Sequence, residues 1–227
     1  MKHNRLITSL FVFSTSLVVN AQWRTGAIIG ATYNLYSVET HYMSNWKFHP
    51  GLGGTIGIMG QYDFCDWFGL RTDLNWTQKD YWQKGENAIN NYRVCIINHY
   101  IQFPIMGCFS LKMKSDNWKG FVNIGMTPAY WVTSQMNGYV MAFMGNKTES
   151  LEINRKKNDF NNVSDQRFEL SMVGGMGIEK KFKNNWVWQI EARCYYGITS
   201  TKKNYMVVKE PRYNTTFVLQ GTICRLL

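Results

Sequence analysis

Apolar and polar residues alternate with a period of two along most of the chain, and helical periodicity is nearly absent. The alternation falls into eight segments. They lie near residues 25–36, 52–63, 67–79, 98–111, 119–133, 167–181, 185–199 and 214–226. Because successive side chains of a strand point to opposite faces, each segment predicts a β-strand with one apolar face and one polar face.

The polar face of these predicted strands is unusual because it combines charges with many glycines. In 67–79, for example, Leu70 and Leu74 mark the apolar face, and Arg71 and Asp73 mark the other. The glycines on the polar face include Gly53, Gly57, Gly69, Gly125, Gly175 and Gly177. A narrow barrel interior needs small residues beside large ones, whereas a solvated outer face gains nothing from glycine. The pattern therefore favours a barrel with its polar face inside.

The connections between the predicted strands alternate between short and long. Short turns lie near 63–66, 112–117 and 182–185, and longer stretches lie near 37–50, 80–96, 134–165 and 200–212. An even strand count with this alternation is typical of bacterial outer-membrane barrels, in which short turns face the periplasm. After residue 21 no segment approaches the 20 or so apolar residues of a membrane helix, whereas a strand crosses with about 10. The sequence predicts an all-β fold: an eight-stranded antiparallel up-and-down transmembrane β-barrel with short periplasmic turns and longer extracellular loops.

Aromatic residues gather near the ends of the predicted strands, as in the belts that mark membrane interfaces. Beside the short turns they are Trp67, Trp118, Phe182 and Trp186. Toward the long loops they are Tyr36, Trp76, Tyr81, Trp82, Tyr130, Trp131 and Tyr195. The alternative is a soluble exported barrel like a lipocalin, whose apolar face points inward and holds a small apolar ligand.

The N-terminus has the features of an export signal. Lys2 and Arg5 precede an apolar run from Leu6 to Val19, and Ala21 follows shortly after. This order is typical of a secretory signal peptide, so we expect cleavage after Ala21 and one barrel domain over residues 22–227. Residues 22–227 contain 23 basic and 15 acidic side chains, a formal charge of +8. In an exported protein this excess favours outer-membrane lipid and lipopolysaccharide as partners, and not nucleic acid.

Five stretches carry a resemblance to a known family. They are residues 50–54 (PGLGG), 68–74, 100–104 (YIQFP), 174–177 (GGMG) and 189–197 (QIEARCYYG). In order and spacing they resemble the PorT-like outer-membrane β-barrel family of Bacteroidota, over nearly the whole chain after residue 21. The chain departs from the family pattern at Asp73 and Gln102, where family strands often carry Glu, and at Leu227, where these barrels commonly end in Phe.

The resemblance implies an eight-stranded outer-membrane barrel and no single activity. PorT-like members include a component of a secretion system. Another envelope or secretion-system protein is therefore a further candidate partner.

Charged residues in the middle of the predicted strands form a candidate interior polar network. They are Arg71, Asp73, Glu169, Glu191 and Arg193. Such a network can be a path for protons or ions, or a set of ion pairs that satisfies buried charges and fixes strand register. We favour ion pairs, because three carboxylates and two arginines can nearly pair off. Since side chains can fill an eight-stranded barrel, we expect no open pore.

The two last long connections carry a candidate basic surface. Its residues are Arg155, Lys156, Lys157, Lys202, Lys203, Lys209 and Arg212. This surface either docks a partner protein or anionic lipopolysaccharide, or consists of solvated cations near anionic head groups.

Catalysis at the outer rim of the barrel is a third hypothesis. A lipid-modifying enzyme could use His41, His49 or His99, with Asp80 and Ser134 as partners. No Gly-x-Ser-x-Gly motif or metal-ligand spacing accompanies them. The sequence therefore predicts a non-enzymatic barrel with a structural or partner-docking role, without cofactor or metal.

Overall fold

The computed structural model describes residues 22–38, 46–86, 91–113, 117–144, 147–161, 163–203 and 211–227; the predicted signal peptide lies outside them. The described residues form eleven strands and a 3₁₀ turn at Lys183–Asn185. The strands are β1 (Gln22–Val38), β2 (Trp46–Cys65), β3 (Phe68–Gln78), β4 (Tyr81–Glu86), β5 (Asn91–Gln102), β6 (Ile105–Lys112), β7 (Trp118–Met144), β8 (Lys147–Lys157), β9 (Phe168–Lys181), β10 (Trp186–Gly197) and β11 (Arg212–Leu226). No helix in this part of the chain is long and apolar enough to cross a membrane.

The strands form one antiparallel sheet that closes on itself. β1 pairs with β2 on one side and with β11 on the other. From β2 the ring continues through β3 and β4, then β5 and β6, then β7, β9 and β10 to β11. Closure gives each strand of the ring two neighbours, so its backbone groups are paired on both sides. Among the described residues β8 pairs with β7 alone and extends that strand as a hairpin.

The eleven strands differ from the eight that the sequence predicts, and three features account for the difference. β3 and β4 share the neighbours β2 and β5 and are separated by Lys79 and Asp80. β5 and β6 share β3 and β7 and are separated by Phe103 and Pro104. Pro104 has no N–H to donate to the ladder, which explains the second break. β8 lies in 134–165, which the sequence analysis assigned to a loop.

The wall is also longer on the side of the long connections than the sequence predicts. β2 begins at Trp46, and β4 and β5 form a hairpin within the stretch predicted as the loop 80–96. β7 runs on to Met144. The alternation does not predict these extensions, because charged and amide side chains such as Gln83 and Lys84 interrupt it there.

The apolar face of the barrel points outward and the polar face points inward. Ile29, Leu52 and Leu219 are 69%, 73% and 61% exposed. Arg71 and Glu191 are at most 1% exposed. A soluble ligand-binding barrel needs the reverse arrangement, whereas a barrel embedded in lipid needs this one.

The aromatic residues of the predicted belts divide between the outer wall and the interior. Trp67, Trp118, Phe182 and Trp186 are exposed beside the short turns, and Trp76 and Tyr130 are exposed on the outer wall. Tyr81 and Tyr195, which the sequence analysis placed in the outer belt, are buried inside the barrel. The Tyr195 hydroxyl accepts a hydrogen bond from Arg193 Nη1 at 3.1 Å, and the Tyr81 ring stacks on Tyr36. The position of an aromatic residue near a strand end does not reveal such interior contacts.

Candidate functional site

Charged side chains inside the barrel form three layers along its axis, all under 10% exposed. The inner layer, nearest the short turns, comprises Arg24, Asp63 and Glu179. The middle layer comprises Arg71, Asp73, Glu191 and Arg193. The outer layer comprises Lys79 and Glu169.

The middle layer contains four of the five residues predicted for the interior network. Arg193 donates from Nη1 to Asp73 Oδ2 at 2.6 Å, and from Nε and Nη2 to the two carboxylate oxygens of Glu191 at 2.6 and 2.9 Å. Arg71 donates from Nε to Asp73 Oδ1 at 3.0 Å, and its Nη1 lies 3.2 Å from Glu191 Oε2. Two cations and two anions therefore neutralise each other without solvent.

Two contacts of the middle layer, Arg193–Asp73 and Arg71–Glu191, cross the lumen from one wall to the opposite one. Arg71 and Asp73 lie on β3, and Glu191 and Arg193 lie on β10. Three strand positions separate β3 from β10 in either direction around the ring. The side chains therefore connect two strands that lie opposite each other across the barrel.

A glycine makes room for this bridge. A Cβ atom on Gly175 would lie 2.8 Å from Glu191 Oε1 and 2.9 Å from Arg193 Cγ. Those distances are too short for carbon, so a larger residue there would displace the bonded pair. This explains why the polar face of β9 carries glycine beside the charges of β10.

The inner layer was missed by the sequence analysis. Arg24 donates to Asp63 Oδ2 at 2.5 Å and to Glu179 Oε2 at 2.9 Å. Gln189 joins it to the middle layer, because its Nε2 donates to Glu179 at 3.0 Å and its Oε1 accepts from Arg71 at 3.1 Å. All three charged residues lie on the polar face near strand ends. Their parity along the strand could therefore have identified them as interior side chains.

The outer layer corrects the prediction for Glu169, which does not join the other four residues. Its carboxylate forms an ion pair with Lys79 and accepts from Asn214 at 2.7 Å. The Lys79 ammonium also lies 4.6 Å from the centroid of the Tyr100 ring. Lys79 is the last residue of the predicted segment 67–79 and shares the parity of Arg71 and Asp73, so the alternation was a signal that could have placed its side chain inside the barrel.

An apolar cluster fills the barrel beyond the outer layer. Tyr81, Val94 and Ile96 are buried at its centre. Around them pack Tyr36, Phe48, Tyr92, Met136, Val140 and Ile153. The rings of Tyr36 and Tyr81 stack with centroids 4.0 Å apart and an interplanar angle of 2°. We call this set the outer cluster.

Asp80 lies at the base of the outer cluster, beyond the end of β3. Its carboxylate accepts a hydrogen bond from Gln78 Nε2 at 2.6 Å.

The predicted basic surface divides into two parts. Arg155, Lys156 and Lys157 are exposed at the end of β8, and Lys157 pairs with Gln135 at the base of the β7–β8 hairpin. Lys202, Lys203 and Arg212 lie close to residues 163–167 and to Ser200. Lys202 lies 3.9 Å from Asp165, the Lys203 N–H donates to the carbonyl of Ser164, and the Arg212 N–H donates to Ser200 Oγ. Lys209 lies outside the described residues.

The candidate rim residues for catalysis are not brought together. His41 lies outside the described residues. His99 Nδ1 accepts from Trp76 Nε1 at 3.3 Å, whereas Asp80 and Ser134 are buried. Among His49, His99, Asp80 and Ser134, the structure gives no pair in hydrogen-bond contact, and in the described part of the chain no three His, Cys, Asp or Glu side chains could hold a metal.

Comparisons with known proteins give the family. The family model for the outer membrane protein beta-barrel domain matches residues 16–203. No curated protein matches the chain in sequence.

Among solved structures, the outer membrane protein OprG from Pseudomonas aeruginosa is similar with a TM-score of 0.56 and 7% identity, over 91% of this chain and 96% of that one. This likeness shows the barrel fold. Neisserial surface protein A has a TM-score of 0.43 and 11% identity, with coverage of 91% and 98%. Ail of Yersinia pestis has a TM-score of 0.39 and 11% identity, with coverage of 88% and 97%.

Three observations indicate the same kind of protein, a barrel of the outer membrane. They are the outward apolar wall, the closed antiparallel sheet and the family match over residues 16–203. The chain belongs to the outer membrane protein beta-barrel domain family and is an outer-membrane protein.

Proposed function

We propose that this protein is a non-enzymatic outer-membrane barrel with a filled interior, which acts as a structural element and docks partners outside the cell. The observation that carries the proposal is the Arg193–Asp73 bond, 2.6 Å long, between opposite walls. The inner and outer layers lie on either side of it. A path for solutes would have to break charge-assisted bonds in all three layers.

In this proposal eight strands span the membrane. β3 with β4 counts as one, as does β5 with β6, because each pair shares its neighbours; β8 stands outside. Outward aromatic residues at both ends, such as Trp118 and Trp76, would lie at the two membrane interfaces. The short turns would face the periplasm, and a signal peptide over residues 1–21, cleaved after Ala21, would direct export.

Docking is assigned to the extensions beyond the long-connection side of the wall. Arg155, Lys156 and Lys157 lie at the base of the β7–β8 hairpin. In the proposed orientation they would lie at the level where the barrel meets the outer leaflet. Cations at that level favour contact with the phosphates of lipopolysaccharide. The motifs at 50–54, 100–104 and 189–197 support the finer assignment to PorT-like barrels of Bacteroidota, for which another envelope or secretion-system protein is the partner class.

Membrane insertion and closure are tested together. The protein refolded into phospholipid vesicles should remain with the vesicle fraction and migrate differently on a gel with and without boiling. Vesicles that carry it should retain a small trapped dye as well as empty vesicles do. Recovery in the soluble fraction without a heat-dependent shift would overturn the membrane role, and rapid dye release would overturn the filled interior.

The docking surface is tested with the triple variant Arg155→Gln, Lys156→Gln, Lys157→Gln. We expect weaker binding to lipopolysaccharide-containing vesicles, by about 1 kcal/mol for each cation removed. A matched control replaces Lys112 and Lys181, which are exposed at the opposite end of the barrel, by glutamine. Equal binding by wild type, triple variant and control would contradict the docking assignment.

A further inference from the structure

The outer wall holds a concave groove that the proposed function does not use. It has a volume of about 790 Å³ and runs across β2, β1, β11, β10 and β9. Ile29, Ile58, Ile190 and Ile223 are among its lining residues. Its depth comes from Gly221, where an added Cβ would meet nothing within 4 Å. This volume lies within the range of about 300–1,000 Å³ that is usual for ligand sites.

Two cations border the groove on the side of the short turns. Lys180 lines the groove, and its ammonium lies 5.1 Å from the Trp118 ring centroid and 5.2 Å from that of Phe182. Arg225 is exposed two residues beyond Ile223 on the same face of β11, and it pairs in register with Trp186. The ion pairs of the described residues include neither Lys180 nor Arg225.

We infer that the groove binds one phospholipid of the periplasmic leaflet, with an acyl chain along the groove and an anionic phosphate at Lys180 and Arg225. The inference rests on the proposed orientation, in which the short turns face the periplasm. An apolar channel with cations at one end matches an amphiphile with an anionic head. The aromatic rings beside the cations lie where interfacial tryptophans meet lipid head groups.

A second copy of the chain fits this surface less well. In a two-fold dimer the same patch serves both partners, and within one membrane both copies present Lys180 and Arg225 at the same depth. The four cations would then face each other without described counter-charges, which is unfavourable in a medium of low dielectric constant. A lipid phosphate removes that repulsion.

The experiment is native mass spectrometry of the purified barrel in detergent, with equal amounts of phosphatidylglycerol and phosphatidylcholine. We expect the wild type to retain one phosphatidylglycerol in preference to phosphatidylcholine. Gly221→Leu should abolish retention because its side chain occupies the groove. The variant Lys180→Gln, Arg225→Gln should lower retention about thirtyfold, since each cation contributes about 1 kcal/mol near anionic lipid.

Matched controls separate the groove from general changes of the surface. Gly174→Leu adds the same side chain on β9 outside the groove, at a position where a Cβ also meets nothing within 4 Å. Lys112→Gln removes an exposed cation at the short-turn end. Both controls should retain phosphatidylglycerol as the wild type does.

The outcomes of these experiments separate failure of the lipid site from failure of the proposed function. Equal retention of both lipids, unchanged retention in Gly221→Leu, or a protein dimer lost in Gly221→Leu would overturn the lipid site. The proposed function would still stand if the lipid site fails, provided that the wild type inserts into vesicles and those vesicles retain their trapped dye. Failure of the wild type to enter vesicles would overturn the proposed function itself.

Discussion

Replacing Arg193 by methionine removes one of the two arginine side chains that join the opposite walls at the middle layer. The change deletes three bonds to carboxylate oxygens, one to Asp73 and two to Glu191. Hydrogen bonds to charged groups contribute about 1.5–3 kcal/mol each, which sets an upper range of about 4.5–9 kcal/mol. Methionine has a similar length and fills much of the space, so the loss is mainly electrostatic.

Arg71 limits the damage, because it already contacts both carboxylates and its Nη2 has no hydrogen-bond partner among the described residues. Removing one member of a buried ion pair usually costs about 3–5 kcal/mol. We therefore expect Arg193→Met to lower the free energy of unfolding by about 4 kcal/mol, close to a thousandfold in the equilibrium constant. The measurement is guanidinium unfolding and refolding in vesicles, followed by tryptophan fluorescence.

A double-mutant cycle isolates the electrostatic origin of this loss. Adding Glu191→Gln to Arg193→Met leaves Arg71 and Asp73 as a neutral pair. The double variant should be more stable than the sum of the two single losses predicts, by about 2 kcal/mol. Lys112→Met, at an exposed site, should change stability by less than about 0.5 kcal/mol. A loss below about 1 kcal/mol for Arg193→Met, with additive behaviour in the cycle, would refute the reasoning.

Two further predictions concern other parts of the barrel. Gly125→Ala should reduce folding yield because its Cβ would overlap the backbone of β6, whereas Gly174→Ala, with open space around it, should fold normally; both are read from the heat-dependent gel shift. Tyr81→Ala removes the ring stacked on Tyr36, so hydrogen exchange should accelerate in β4 and the start of β5 and stay slow in β10.

The faces of the strands could be predicted because they depend on local alternation. Once Leu70 and Leu74 face outward, Arg71 and Asp73 must face inward, and this holds whatever the strand pairs with. The same rule assigns Glu191 and Arg193 to the interior of β10. Four members of the interior network could therefore be found without knowing the register.

The pairing of charged side chains inside the barrel could not be predicted, because it depends on strands that are far apart in sequence. Glu169 and Lys79 are 90 residues apart and meet through the register of β9 and the bend after β3. The breaks within two of the eight predicted strands, and the additional strand β8, could not be predicted for a related reason. The breaks at 79–80 and 103–104 and the hairpin β8 lie where backbone pairing changes while the alternation of side chains gives little signal.

The filled lumen is the central claim, and ion conductance tests it most directly. The refolded wild-type protein should be added to a planar bilayer in concentrated potassium chloride, with insertion verified by the heat-dependent gel shift on the same preparation. The three bonded layers and the outer cluster predict no steady current above that of the bare bilayer. A reproducible open-channel conductance from the folded wild-type barrel would contradict the account.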